Sequence, residues 1–180
     1  MTTINVHRPL SGDVVDLIMD DHRLFEDLLR QLRDSSFDRD AVRQAVAAVL
    51  VAHAEAEEAH VYPQLHRRRA VGQEEAEHGE HEHAEGHEAL LAVLELKGTD
   101  TQAFDDAVEQ LSGVISHHLV EEELTLLNPA RAELSAQVRA SLGVEFARRR
   151  NAEIDADCGR ADNVRRLVTA SRREGKLDAD

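Results

Sequence analysis

Histidine and glutamate side chains recur inside the apolar stripes of four amphipathic helices, and this placement limits the folds open to the chain. Residues three or four apart share one face of a helix, so an imidazole in step with leucine and valine enters the core with them. The polar residues placed in this way are His22, His53, Glu57, His83, His87 and His118. A buried polar group without a partner costs roughly 1–3 kcal/mol. A bound cation removes this cost because it accepts the imidazole nitrogens and neutralises the carboxylates.

The surrounding pattern predicts an all-α protein, since strong helix formers dominate the chain and β-branched runs are missing. Four stretches of similar length, separated by short polar breaks, predict an up-down-up-down four-helix bundle over residues 11–130. Two later stretches, about 133–151 and 160–173, predict one or two additional C-terminal helices within an extension spanning residues 131–180. The arginine-rich faces of this extension could bind a partner, but we expect them to be solvated.

The net charge and the length of the apolar runs limit the partners and the cellular location that we expect for the protein. A net charge of −15 argues against nucleic acid and anionic membranes as partners. The longest apolar run, residues 45–52, is too short to span a bilayer. Residues 1–9 lack the apolar core of a signal peptide, and the single cysteine, Cys158, cannot form an internal disulfide. These features predict a cytoplasmic location.

The number and type of candidate ligands indicate the metal. Five imidazoles and at least two carboxylates exceed the four ligands of a tetrahedral zinc site. Carboxylates can bridge two ions, and mixed nitrogen and oxygen ligands suit iron or manganese. Taken singly, each residue also has a structural interpretation, and the acidic tract 74–88 could be a solvated charge run. Within that tract, however, only His83 and His87 are in step with the apolar residues that follow, whereas His78 and His81 point elsewhere.

Four short motifs carry these residues: Asp-Asp-His22, His53-x3-Glu57-Glu58 followed by Tyr-Pro, His83-x3-His87, and His-His118-Leu-Val-Glu-Glu-Glu123. With them, residues 13–129 resemble the hemerythrin-like family of HHE cation-binding domains. The resemblance implies two iron ions joined by an oxo or hydroxo group, whereas the ligand spacing alone also leaves zinc or manganese open. Its terminal ligands would be His22, His53, His83, His87 and His118, and its bridging carboxylates would be Glu57 and Glu123.

Two assignments stay open. The spacing of the family joins His118 to Glu123, which also precedes a proline by the same distance as Glu57 does, whereas strict helical phase favours Glu122. A register that pairs His117 with Glu122 keeps the spacing but takes His118 out of the apolar stripe. His60 is a further candidate metal ligand because it lies three residues after Glu57. It either fills an iron position that oxygen carriers leave free, or it orients a ligand or donates to a bound peroxide.

The resemblance implies a non-haem di-iron protein that binds or reacts with dioxygen, peroxide or nitric oxide in a redox or detoxification role. A small diatomic or peroxide ligand is therefore the expected partner. Peroxidase-like, catalase-like or nitric oxide-handling activity remains one possibility. The alternatives are a sensor or binding protein for oxygen or iron without turnover, and a bundle held together by structural zinc. The same fold can serve each of these functions, so the fold does not distinguish them.

Overall fold

The computed structural model describes residues 4–178, and every regular element in that range is a helix. Aspartate, serine or threonine side chains cap the N-termini of four of these helices. The elements are α1 (Val14–Leu32), α2 (Arg39–Ala56), a first π segment (Glu57–Val61), α3 (Tyr62–Arg67), α4 (Gln73–Glu95), α5 (Gln102–Glu122), a second π segment (Glu123–Leu127), α6 (Asn128–Glu133), α7 (Ala136–Asp155) and α8 (Ala161–Arg173). Each π segment continues directly into the next α-helix.

Helices α1, α2, α4 and α5 form a bundle. Helix α1 packs against α2 and α5, and α4 packs against the same two helices from the opposite side. Short connections make successive members antiparallel. The predicted all-α, up-down-up-down bundle with additional C-terminal helices is confirmed. None of the helices within residues 4–178 has the length and apolar character needed to cross a membrane.

Two apolar clusters fill the bundle, and a polar layer separates them. On α1, His22 lies between Ile18, which belongs to one cluster, and Phe25, which belongs to the other. The same alternation recurs along α5 and the second π segment, where Glu122 lies between Leu119 of one cluster and Leu126 of the other. The histidines and glutamates predicted from the sequence therefore meet at one depth, with hydrocarbon above and below them.

The C-terminal helices pack closely on this bundle, α7 against α1 and α2, and α8 against α4. In the turn between α7 and α8, a Cβ atom on Gly159 would lie 2.5 Å from the backbone nitrogen of Ala48, so only glycine permits this approach.

The arginine side chains of α7 and α8 differ in how far they are exposed to solvent. The side chains of Arg148 and Arg165 are 65% and 55% exposed, as expected, but that of Arg150 is 2% exposed. The expectation of fully solvated arginine faces is wrong for Arg150, which enters the bundle.

Candidate metal centre

Six buried side chains converge in the polar layer and form two adjacent groups of candidate ligands. Within each group, all the ligand atoms lie within 4.8 Å of one another. None of the six residues is more than 5% exposed, so water does not solvate them freely. The first group comprises His22, His53 and Glu122, and the second comprises Glu57, His83 and His118.

The carboxylate of Glu57 lies between the two groups. Its Oε2 atom is 3.1 Å from Nε2 of His53, in the first group, and 3.2 Å from Nε2 of His83, in the second. His53 and Glu57 are four residues apart on one helical face, which fixes their relative position. One carboxylate thus contacts an imidazole from each group.

Glu122 repeats this relationship from the opposite helix. Its Oε2 atom is 3.0 Å from Nε2 of His22, in the first group, and 3.9 Å from Nε2 of His118, in the second. Each group therefore has one carboxylate of its own and lies beside the carboxylate of the other. This arrangement suits two neighbouring ions with a carboxylate on either side.

The outer nitrogens of the four histidines are also occupied. Because a carboxylate only accepts hydrogen bonds, each Nδ1 atom carries a proton, so Nε2 is the ring nitrogen that faces the centre and that would bind a cation after losing any proton of its own. Carboxylates that hold metal-binding histidines in this way fix the tautomer and raise the basicity of the ligand. The Nδ1–carboxylate pairs are His22–Glu123 at 2.9 Å, His53–Asp21 at 3.1 Å, His83–Glu58 at 2.9 Å and His118–Glu82 at 3.0 Å.

The position of Glu123 departs from the sequence prediction. Glu123 was predicted as the second bridging carboxylate, but the structure places Glu122 among the central groups. Glu123 lies further out, with 39% of its side chain exposed, and contacts Nδ1 of His22. The reason is helical phase: α5 continues without a break to Glu122, so the residue four after His118 faces inward, and the wider π turn begins only afterwards.

The first π segment brings Tyr62 to the centre. In this segment the backbone N–H of Tyr62 donates to the carbonyl of Glu57, five residues earlier. The wide turn aligns these two residues along the helix and turns His60 away, although His60 was predicted on the inward face. His60 is half-buried and contributes to neither ligand group.

The phenol of Tyr62 is buried and lies against both central carboxylates. Its hydroxyl donates to Oε1 of Glu122 at 2.9 Å and lies 3.5 Å from Oε2 of Glu57. Its ring stacks on His83, with ring centroids 5.6 Å apart. Burial, and then the negative charge of Glu122, raise the pKa of Tyr62 well above its usual value. Tyr62 therefore holds a proton at the centre.

His87 lies beside the two groups. It is 5% exposed, and its Nε2 atom has no hydrogen-bond partner. Burial, and then the positive charge of His83, lower the pKa of His87 to about 4. His87 is therefore neutral at physiological pH, and a lone pair on a ring nitrogen is available for a cation.

Two buried imidazoles, those of His53 and His83, are more basic than usual. Burial alone would lower the pKa of His53, but contacts with Glu57 and Asp21 raise it to about 10. Burial acts on His83 in the same direction, and Glu57 and Glu58 raise its pKa to about 10. Protons on these imidazoles thus compensate the negative charge of the buried carboxylates. A cation bound at the same nitrogens would replace the protons.

Unpaired atoms test whether a metal fits this site. Buried side-chain atoms normally have a hydrogen-bond partner. Here the Oε1 atom of Glu57 and the Nε2 atoms of His53, His87 and His118 are buried and lack the geometry of a hydrogen bond. One carboxylate oxygen and three imidazole nitrogens without partners, all in one dry layer, are the donor set that a transition-metal ion accepts.

A buried arginine extends the site to the C-terminal part of the chain. Arg150 of α7 donates from Nε and Nη2 to the two carboxylate oxygens of Asp21, both at 2.6 Å. Asp21 in turn accepts from His53. Helix α7 therefore fixes the orientation of a candidate ligand through one carboxylate.

The hemerythrin HHE cation-binding domain family matches residues 13–130, which contain every residue of the two ligand groups. The chain belongs to this family. Membership in the HHE family, together with the convergent histidines and glutamates, supports metal binding at this centre. The roles of the individual residues as ligands stay predictions.

The chain is also similar to a protein that is described by a different activity. A protein from Nostoc sp. described as a DNA nickase is 28% identical over 137 residues. The match covers 74% of this chain but 38% of the relative, so the chain spans well under half of that protein. No solved structure matches the chain significantly.

Several residues of the site were not identified from the sequence. Asp21 and Glu58 stand directly beside predicted ligands, and Tyr62 forms part of the Tyr-Pro sequence after Glu57. The sequence could have indicated Asp21 and Glu58, because a carboxylate next to a predicted ligand can reach a neighbouring histidine. It could not have indicated Glu82 and Arg150, since their roles depend on contacts between helices.

Proposed function

We propose that this HHE domain holds two iron ions and that the iron pair binds or reacts with dioxygen, peroxide or nitric oxide. The observation that carries the proposal is the placement of Glu57 and Glu122, each beside one imidazole from both ligand groups. Two carboxylates in these positions are suited to bridging two ions, and the mixed nitrogen and oxygen set favours iron over zinc.

The chain's own residues would bind, orient and exclude water. Nε2 atoms of His22, His53, His83 and His118 would hold the ions, with His87 as a fifth imidazole. The outer carboxylates would keep each Nδ1 proton in place, and the two apolar clusters would exclude water from the centre. Iron would supply electrons and Lewis acidity for the chemistry of a small oxidant or diatomic ligand. Tyr62 would hold a proton next to both bridging carboxylates.

The metal and the visible spectrum of aerobically purified protein test this proposal. We expect about two iron ions per chain, by analogy with other carboxylate-bridged bundles, and absorption from an iron pair. Stoichiometric zinc in a colourless protein would overturn it in favour of a structural site. Sustained consumption of hydrogen peroxide or nitric oxide would identify an enzyme, and a reversible spectral change with dioxygen would identify a binding protein.

DNA nicking is not proposed for this chain. The match to the nickase covers only a minor part of that protein, and a net charge of −15 repels DNA phosphates. We instead propose that the partner is a small diatomic or peroxide ligand, that neither nucleic acid nor membrane is bound, and that the protein acts in the cytoplasm. The single thiol, on buried Cys158, supports that location because it needs no disulfide partner.

A further inference from the structure

A second cluster of metal-ligating side chains lies at the surface, outside the central layer. It is built around Glu82 of α4, whose side chain is 4% exposed. Oxygen Oε2 of Glu82 accepts from Nδ1 of His118, as described above. The other oxygen, Oε1, is buried and has no hydrogen-bond partner.

Two exposed imidazoles face this unpaired oxygen. Nε2 of His78 lies 3.6 Å from it, and Nε2 of His117 also lies 3.6 Å from it. Both distances are too long for hydrogen bonds. His78 and Glu82 are four residues apart on α4, whereas His117 comes from α5, so the cluster spans two helices. The side chains of His78 and His117 are 54% and 66% exposed.

We propose that His78, Glu82 and His117 form a second, exchangeable site for a borderline divalent transition-metal cation such as zinc. Two imidazole nitrogens and one carboxylate oxygen are three ligands of the type that zinc takes, and water can complete the coordination. Calcium and magnesium are disfavoured because they prefer oxygen ligands. The cation would occupy the space that now separates Oε1 from the two nitrogens, and both exposed rings can turn toward it on a fast timescale.

The surroundings favour a cation. An open surface cavity of about 660 Å³ adjoins His117, and Glu85, Asp106 and Glu109 contribute to its lining. Its carboxylates raise the local concentration of cations. The buried position of Glu82 distinguishes this cluster from an ordinary surface charge pair, because His118 holds the carboxylate in one orientation before any ion arrives.

The site is tested by titrating zinc alone into protein whose central metal content has been measured, with a chromogenic chelator as competitor. We expect one zinc equivalent in addition to the central metal. Removing one of three protein ligands, in His78→Ala or His117→Ala, should weaken this binding roughly tenfold or more. Both residues are exposed, so the variants should fold normally and keep the central metal content unchanged.

His81→Ala is the matched control. His81 lies on the same helix, is 46% exposed, and faces the equally exposed Glu85 at 3.4 Å in a pair within that single helix. We expect this variant to bind zinc as the unaltered protein does. Absence of the additional equivalent would overturn the proposal, and so would equal weakening in the His81 and His78 variants, which would indicate diffuse binding by surface histidines. Neither result depends on the identity of the central metal.

Discussion

Arg150 and Asp21 form a two-pronged ion pair in the interior, with both N–O distances at 2.6 Å. Asp21 also accepts from His53, so the guanidinium on α7 and a candidate ligand on α2 share one carboxylate. The C-terminal part of the chain is therefore connected to the metal centre by two successive polar contacts.

We predict that Arg150→Met weakens metal binding roughly 10–100-fold, because Asp21 loses the partner that holds it against His53. It should also lower the free energy of unfolding by about 3–5 kcal/mol, since a buried carboxylate loses its compensating charge. Arg150→Lys should recover part of both losses. Chelator competition measures the metal affinity, and urea denaturation measures the stability.

Arg39→Met is the control for this prediction. Arg39 is 5% exposed, and its guanidinium binds the carbonyl of Leu32 and the carboxylate of Asp105. It lies 14 residues before His53 on α2, about 21 Å away along the helix axis. Its loss should reduce stability without changing the affinity of folded protein for metal. Equal metal loss in the two variants would contradict a positioning role for Arg150.

We predict that Glu122→Gln removes more metal than Glu123→Gln. The two substitutions change charge equally at adjacent positions, but Glu122 is central, whereas Glu123 is 39% exposed and contacts the outer nitrogen of His22. The measurement is the metal stoichiometry of each purified variant. A greater loss from Glu123→Gln would restore the bridging assignment that follows from the spacing of the family.

We predict that Tyr62→Phe retains the metal. The ring can still stack on His83, while the hydrogen bond to Glu122 is lost. Metal-free protein should lose about 1–3 kcal/mol in stability because a buried carboxylate oxygen becomes unpaired. Metal analysis and urea denaturation check the two parts. Loss of metal from this variant would make the phenol oxygen a ligand.

Substitutions of His87 and His60 test which histidines beside the two ligand groups contribute to metal binding. We expect His87→Ala to lower the metal content, since His87 offers a buried nitrogen without a partner. We expect His60→Ala to leave it unchanged, because His60 is only half-buried and, unlike His87, has no buried ring nitrogen that lacks a hydrogen-bond partner. Elemental analysis of both variants decides the matter, and metal loss from His60→Ala would show that the side chain turns inward when an ion is bound.

Metal uptake should release protons. His53 and His83 have pKa values of about 10 in the metal-free protein, so both are protonated at pH 7. The ions must displace about two protons, and affinity should increase about tenfold per pH unit for each. Unbuffered calorimetry or a pH indicator can count them. Uptake of metal without proton release would place the ions elsewhere.

The same two histidines give the metal-free protein a defined pH response. Their folded-state pKa values lie above the unfolded value of about 6.5. The stability that they contribute is therefore fully present below pH 6.5 and is lost as the pH rises toward 10. We expect the Tm of metal-free protein to fall across this interval, and metal-loaded protein to be less affected.

Helical periodicity was sufficient to predict the bundle and the inward positions of His22, His53 and Glu57, because these residues follow uninterrupted α-helical phase. It was insufficient where the helix changes type. One π turn moves Tyr62 inward and His60 outward, and nothing in residues 57–62 marks the additional backbone step. The contact of Arg150 depends on how α7 crosses α1, which is determined by tertiary packing rather than by local pattern.

The polar layer between two apolar clusters also sets the alignment of the helices. A core of alanine, valine and leucine alone would tolerate a bundle in which one helix is displaced by a turn, about 5.4 Å along its axis. Here such a displacement would press an imidazole against hydrocarbon and leave carboxylates opposite leucine. The candidate metal ligands therefore select a single longitudinal register from several that an apolar interior would accept.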